Sequence, residues 1–93
     1  MGVRELPAAS DWAKFWNLDP SVVFMNHGSF GACPAELLAS QQRLREQMEY
    51  EPVRFFVREL PSLMDEARVA LAEFVGAEID SIALLPNATT GIN

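Results

Sequence analysis

Five residues near the end of the sequence, Asn87-Ala88-Thr89-Thr90-Gly91, combine the groups that could hold a phosphate. Peptide N–H groups at the start of a helix and threonine hydroxyls donate hydrogen bonds to anions, and the positive end of the helix dipole adds to the attraction. The same residue types are common in ordinary helix caps, and taken alone they favour that simpler interpretation. Both interpretations stay open on these residues.

A second candidate is the loop Asn26-His27-Gly28-Ser29-Phe30-Gly31. Two glycines allow a backbone to approach a ligand closely, and a histidine can stack on a ligand or form a hydrogen bond with it. A plain turn with a structural histidine explains the same composition, and composition alone favours the turn.

Two further side chains, those of Arg54 and Cys33, are weaker candidates for a functional role. Arg54 could bind an anion with its guanidinium group, but a helix break followed by two core phenylalanines is the simpler account of residues 51–56. Cys33 lies beside Pro34 without a nearby base, so a small apolar residue is favoured over a nucleophile. One cysteine excludes an internal disulfide framework, and no Cys/His spacing indicates zinc or another metal.

Helices and strands must position these residues. Pro34 and apolar residues at three-to-four spacing predict a helix over residues 34–50. A second helix is predicted from an N-cap at Ser62, paired with Asp65, to a C-cap at Gly76. We expect its apolar stripe to face a core. The stripe comprises Leu63, Ala67, Ala70, Leu71 and Phe74.

Two short apolar runs, residues 21–25 and 82–85, predict strands. The second lacks polar alternation and resembles a strand buried on both faces of a parallel sheet. Such a strand needs neighbours, and a two-stranded sheet is marginal in water. We therefore expect the molecule to be a fragment, and the alternative is a complete small helical domain.

Composition narrows the class of protein. The chain has 93 residues, 49% of them hydrophobic, and a net charge of −6, which disfavours nucleic acid as a partner. The first ten residues lack the apolar region of a signal peptide, and no long apolar run predicts a membrane span. Because the single cysteine also excludes a disulfide framework, we expect a protein of the reducing cytoplasm without a membrane partner.

Three stretches, taken together and in order, resemble the start of class V aminotransferase-like enzymes, which depend on pyridoxal 5'-phosphate (PLP). The isopenicillin N epimerase-like branch is the nearest, and the resemblance covers roughly residues 20–93. The stretches are FMNHGSFGACPAELL (residues 24–38), YEPVRFFVRELPSLMDEAR (residues 50–68) and LPNATTGIN (residues 85–93). Three motifs in the same order are more specific than any one of them. They therefore favour a phosphate-binding role for residues 87–91 and a ligand-binding role for residues 26–31.

The resemblance implies an α/β fold: the N-terminal portion of the large domain of a fold type I PLP-dependent transferase. Here that portion would be mostly helical with short strands and an incomplete sheet. Residues 1–20 would form a lead-in, and residues 21–93 the N-terminal part of the domain, truncated after the phosphate-binding turn. A full-length protein of this type would be a homodimer that acts on an amino acid or amine.

The resemblance also assigns site residues. It implies that Ala88, Thr89 and Thr90 bind the cofactor phosphate, with Thr89 as the main side-chain donor. It implies that the loop carrying Asn26, His27, Gly28 and Ser29 faces the substrate.

The chain departs from the family pattern in one decisive respect. The Schiff-base lysine of the family lies far downstream, whereas Lys14, the single lysine, lies in the lead-in. No catalytic residue is therefore assigned, and the chain alone is expected to be inactive. The alternative is a stand-alone binding or interaction module that retains the phosphate-binding turn.

Overall fold

The computed structural model describes residues 5–93. The chain divides into two compact units, Met1–Glu46 and Gln47–Asn93. The first contains a 3₁₀-helix, Asp11–Phe15, and most of helix α1, Ala35–Tyr50. The predicted boundary at residue 20 stays a prediction.

Helix α1 confirms the helix predicted over residues 34–50. Pro34 stands just before it, and the Pro34 carbonyl accepts hydrogen bonds from the N–H groups of Leu37 and Leu38, both at 3.1 Å. Proline suits this position because the first N–H groups of a helix have no partner within the helix.

The second unit is built on one nearly continuous helical segment. It consists of α2 (Pro52–Arg54), a π-helical turn (Phe55–Glu59) and α3 (Leu60–Val75). A 3₁₀-helix, Ile79–Ser81, and helix α4, Ala88–Ile92, follow.

The predicted helix start at Ser62 is wrong. The carboxylate of Glu51 caps the segment instead, accepting hydrogen bonds from the N–H groups of Val53 (3.2 Å) and Arg54 (3.1 Å). The helix then continues past Pro61, which has no N–H to donate. Just before it, the Leu60 N–H bonds to the Phe55 carbonyl, five residues back, so the ladder has already widened to a π-turn at this point.

Replacing Glu51 with alanine should weaken this helix start by about 1 kcal/mol, because two N–H groups lose their acceptors. Amide exchange at Arg54 and Phe55 should then accelerate about fivefold. Glu66→Ala, an exposed change within α3, is the matched control and should leave these amides unchanged. Equal exchange rates in Glu51→Ala and wild type would contradict the cap.

The predicted C-cap at Gly76 is confirmed. Gly76 has φ 70° and ψ 36°, the left-handed conformation that glycine adopts without strain. The Ala77 N–H bonds to the Ala72 carbonyl at 2.9 Å and closes the end of α3.

Neither predicted strand forms in residues 5–93. Residues 82–85 have no regular assignment, and residues 21–25 begin with a turn and continue without one. A strand exists only when a neighbour supplies its ladder of hydrogen bonds, and the described residues supply none. The observed secondary structure is helical, so the predicted short strands and incomplete sheet are not found in this part of the fold.

The predicted core stripe of α3 is also wrong for this chain. Phe74 is 87% exposed and Leu71 37%, whereas the two buried apolar residues among residues 5–93 are Phe55 and Ala72. Arg68 supports the end of α3 by donating to the Ile79 carbonyl at 3.3 Å. The second unit thus has a core of two residues, and most of its apolar side chains face solvent.

Candidate functional site

The predicted phosphate-binding turn is a capped helix start. Asn87, in extended conformation, is the N-cap of α4, and its side-chain oxygen accepts the Thr90 N–H at 2.8 Å. The Asn87 carbonyl accepts the Gly91 N–H at 3.3 Å. Asparagine is a preferred residue at this position because its short side chain reaches back to the first turn.

Because of this cap, some N–H groups of the turn are free to bind an anion and one is not. The N–H groups of Ala88 and Thr89 have no hydrogen-bond partner among residues 5–93, whereas that of Thr90 is occupied by Asn87. All three residues are exposed. An anion could therefore receive two backbone N–H groups and the threonine hydroxyls, and Thr90 would act only through its hydroxyl.

Gly91 lies beside Leu85, the last residue of the apolar run before the turn. A Cβ at this residue would lie 2.9 Å from Cδ1 of Leu85, closer than real Cβ contacts. Because Leu85 is exposed and Cδ1 is the end of a flexible side chain, a Cβ at residue 91 would be accommodated by a shift of that side chain.

The substrate-facing loop predicted at residues 26–29 is a tight turn in the first unit. The Ser29 N–H donates to the Asn26 carbonyl at 3.3 Å, and all four residues from Asn26 to Ser29 are exposed. The loop and the phosphate-binding turn lie in different units of the chain.

His27 has a defined orientation within this loop. Its Nδ1 accepts the Ala32 N–H at 3.3 Å, and its ring meets the ring of Phe24 edge-on, with centroids 4.5 Å apart. His27 also lines a cavity of about 670 Å³ together with Trp12, Trp16 and other residues of the first unit. The sequence indicated the histidine but gave no sign of the Ala32 contact, which spans five residues through a turn.

Arg54, considered above as an anion binder, is paired within its own helix. Its Nε lies 3.4 Å from a carboxylate oxygen of Glu59. Both side chains are partly exposed, so the pair contributes little to stability.

Asp19 starts the turn that leads toward the loop. The Ser21 hydroxyl (2.6 Å) and the Ser21 N–H (2.8 Å) both donate to its carboxylate, and these hydrogen bonds hold the pKa of Asp19 below its usual range. Because the folded-state pKa is lowered, the turn is stabilised above the ordinary pKa of about 4 and loses this stabilisation as the pH falls through the lowered value.

Ser21→Ala should therefore raise the pKa of Asp19 toward its ordinary value, because the first of the two donors is lost. Carboxyl ¹³C titration by NMR measures this change. Ser21→Thr keeps a hydroxyl and is the matched control, for which we expect the lowered pKa to persist. A pKa of Asp19 that is the same in Ser21→Ala and wild type would contradict the assignment.

Residues 5–93 contain no group of three or more His, Cys, Asp or Glu side chains placed to hold a metal ion. Within the same range, no helix combines the length and the apolar character needed to cross a membrane.

Comparison with known proteins gives clear relatives. The chain is 35% identical over 89 residues to isopenicillin N epimerase of Streptomyces clavuligerus, covering 92% of this chain and 22% of that protein. It is 33% identical over 79 residues to a probable chloroplastic L-cysteine desulfhydrase of Arabidopsis thaliana, covering 84% of this chain and 17% of that protein. Isopenicillin N epimerase of Amycolatopsis lactamdurans is 35% identical over 77 residues, which is 83% of this chain and 19% of that enzyme.

The chain thus spans about a fifth of the length of these curated relatives. No family model matches it, and no solved structure matches it. Its homologues are isopenicillin N epimerases and L-cysteine desulfhydrases. The epimerases agree with the resemblance to the epimerase-like branch, whereas the L-cysteine desulfhydrases were not predicted.

Proposed function

We propose that the chain is part of a longer PLP-dependent enzyme of the class V aminotransferase-like family, acting on an amino acid or amine. The observation that carries the proposal is the 35% identity with isopenicillin N epimerase over 92% of the chain. In this proposal the chain supplies the phosphate-binding turn and one loop of the substrate site.

The turn fits a phosphate. The N–H groups of Ala88 and Thr89 are unpartnered in the described chain and begin a helix, where the backbone dipole favours an anion. The hydroxyls of Thr89 and Thr90 add two side-chain donors on exposed residues. Asn87 fixes the turn by holding the Thr90 N–H, so the donors are positioned before a ligand binds.

Each group then has a distinct role. Ala88 and Thr89 anchor the phosphate through their N–H groups, and the threonine hydroxyls form charge-assisted hydrogen bonds with it. His27 and the backbone of residues 26–29 orient the substrate. Bound PLP would supply the electron sink for bond breaking at the α-carbon, and the covalent lysine would come from the remaining polypeptide.

The exposed surface supports a longer polypeptide. The accessible surface is 8531 Å² for a mass of 10.3 kDa. A compact protein of this mass exposes about 5,400 Å², and two separate globules of half the mass expose about 6,500 Å². The accessible surface exceeds both values, so the excess does not depend on how the two units are arranged. Many of the exposed side chains are apolar, which supports the proposal that further polypeptide covers this surface.

Because the relatives include both epimerases and desulfhydrases, they do not determine which reaction the longer enzyme would catalyse. Epimerisation, elimination, desulfuration and transamination all begin at the α-carbon of an amino acid, and the residues that choose among them lie outside this chain in our proposal. A homodimer and a cytoplasmic location remain predictions.

The test is to read the coding DNA past codon 93. We expect an open frame that encodes a further strand, an acidic residue at a strand end to pair with the pyridine nitrogen of PLP and, later, a lysine for the Schiff base. An in-frame stop would contradict the proposal and favour the stand-alone module that retains the phosphate-binding turn.

A further inference from the structure

We propose that Gly31 is a positioning residue for His27: the missing Cβ at residue 31 lets the Ala32 N–H reach Nδ1 of His27, which leaves the proton of the neutral imidazole on Nε2. The structural part of this inference stands on the loop alone. Its consequence for the substrate rests on the proposed function.

The hydrogen bond defines the tautomer. The Ala32 N–H donates to Nδ1 of His27 at 3.3 Å, and a nitrogen that accepts a hydrogen bond carries no proton. In the neutral ring the proton is then on Nε2. The edge-on contact with Phe24, at an interplanar angle of 85°, restricts rotation of the imidazole.

Gly31 makes this geometry possible. A Cβ at residue 31 would lie 2.9 Å from the backbone oxygen of His27, and a backbone atom does not move aside as a flexible side chain does. The chain would have to shift between His27 and Ala32, which would move the Ala32 N–H away from Nδ1.

Gly28 provides a matched control within the same loop. A Cβ there meets nothing within 4 Å, and its φ is not positive, so alanine fits without strain. Glycine is therefore required at residue 31 but not at residue 28, a difference that the sequence alone does not reveal.

The consequence is that His27 offers a hydrogen-bond donor through Nε2. A donor at this point selects a substrate with an acceptor oxygen, such as the carboxylate of an amino acid, over an amine that lacks one. This names the substrate class within the proposed function.

The test is long-range ¹H–¹⁵N NMR of the imidazole in the longer polypeptide, where the His27 signals are assigned by their loss in His27→Gln. At about pH 8.5, where imidazole is neutral, we expect an unprotonated Nδ1 coupled to the Ala32 amide in wild type and in Gly28→Ala. Gly31→Ala should lose the coupling and populate both tautomers. Ala32→Pro deletes the donor without adding a Cβ at residue 31 and should do the same. Absence of the coupling in wild type, or its retention in Gly31→Ala, would overturn the proposal.

Kinetics of the longer polypeptide tests the consequence. Gly31→Ala should raise KM for an amino acid about tenfold with kcat little changed, as expected for a weakened hydrogen bond to a carboxylate. In a His27→Gln background the same change should have no further effect, because the amide N–H₂ donates without needing a tautomer. An unchanged KM in Gly31→Ala would remove His27 from the substrate site. If the expected NMR coupling is found but the longer polypeptide does not bind PLP, the proposed function is refuted and the role of Gly31 stands.

Discussion

Replacing Thr89 with alanine should lower the affinity of the longer polypeptide for PLP by roughly one to two orders of magnitude. The hydroxyl would donate a charge-assisted hydrogen bond to a phosphate dianion, which contributes about 1.5–3 kcal/mol, and about 1.4 kcal/mol corresponds to a factor of ten. The N–H groups of Ala88 and Thr89 remain, so binding weakens without vanishing. Saturating PLP should restore most of the turnover, because the phosphate is an anchor and not the reacting centre.

Titration of PLP into the apo forms of wild type and variant measures this effect. A helix-capping role for Thr89 would instead lower the stability of the apo form by about 1 kcal/mol and leave the affinity for PLP unchanged. Asn87 already caps α4, so we expect the thermal melts of the two apo forms to coincide. Equal affinities would remove Thr89 from the phosphate site.

The 93-residue chain alone should show no turnover of an amino acid above that of free PLP. Its one lysine, Lys14, is exposed and lies over the ring of Phe15, with Nζ 5.3 Å from the ring centroid. An exposed lysine reacts with PLP reversibly in the way of any surface amine, so we expect no adduct that survives dialysis.

Absorbance of the dialysed mixture and a product assay check this expectation, with Lys14→Ala as the matched control. A dialysis-resistant band that disappears in Lys14→Ala, together with turnover above free PLP, would show that the chain carries its own catalytic amine. That result would contradict the assignment of no catalytic residue to this chain.

Local cues were sufficient for some elements of the fold. Pro34 and the apolar spacing that follows it predicted α1 to within one residue, and the cap at Gly76 followed from the freedom of glycine to adopt positive φ. A helix start in the turn at residues 87–91 was also expected from residue types that prefer caps, although α4 begins at Ala88, earlier than the last three residues. Each depends on residues a few positions apart, which is the range that sequence patterns describe.

Other elements needed information that local patterns lack. Ser62 was the predicted helix cap, but the helix begins at Glu51 and passes Pro61 after a π-turn, which the local pattern did not indicate. The strands at residues 21–25 and 82–85 depended on neighbours that the described residues do not supply.

The candidate site shows the same division. Residue types and motif order identified the loop and the turn. They did not identify the hydrogen bonds that determine which N–H groups remain free to donate to a ligand. The engagement of the Thr90 N–H by Asn87 and of His27 Nδ1 by Ala32 depends on backbone geometry. Whether these residues bind cofactor and substrate stays a prediction.

The most direct measurement is the distance between Oγ1 of Thr89 and the nearest phosphate oxygen in a crystal structure of the longer polypeptide with PLP. We expect about 2.7 Å, the usual length of a charge-assisted hydrogen bond from a hydroxyl. We also expect phosphate oxygens at about 2.9 Å from the N–H nitrogens of Ala88 and Thr89. A phosphate bound elsewhere, with these three donors facing water or protein, would contradict the central claim that this chain supplies the phosphate-binding turn.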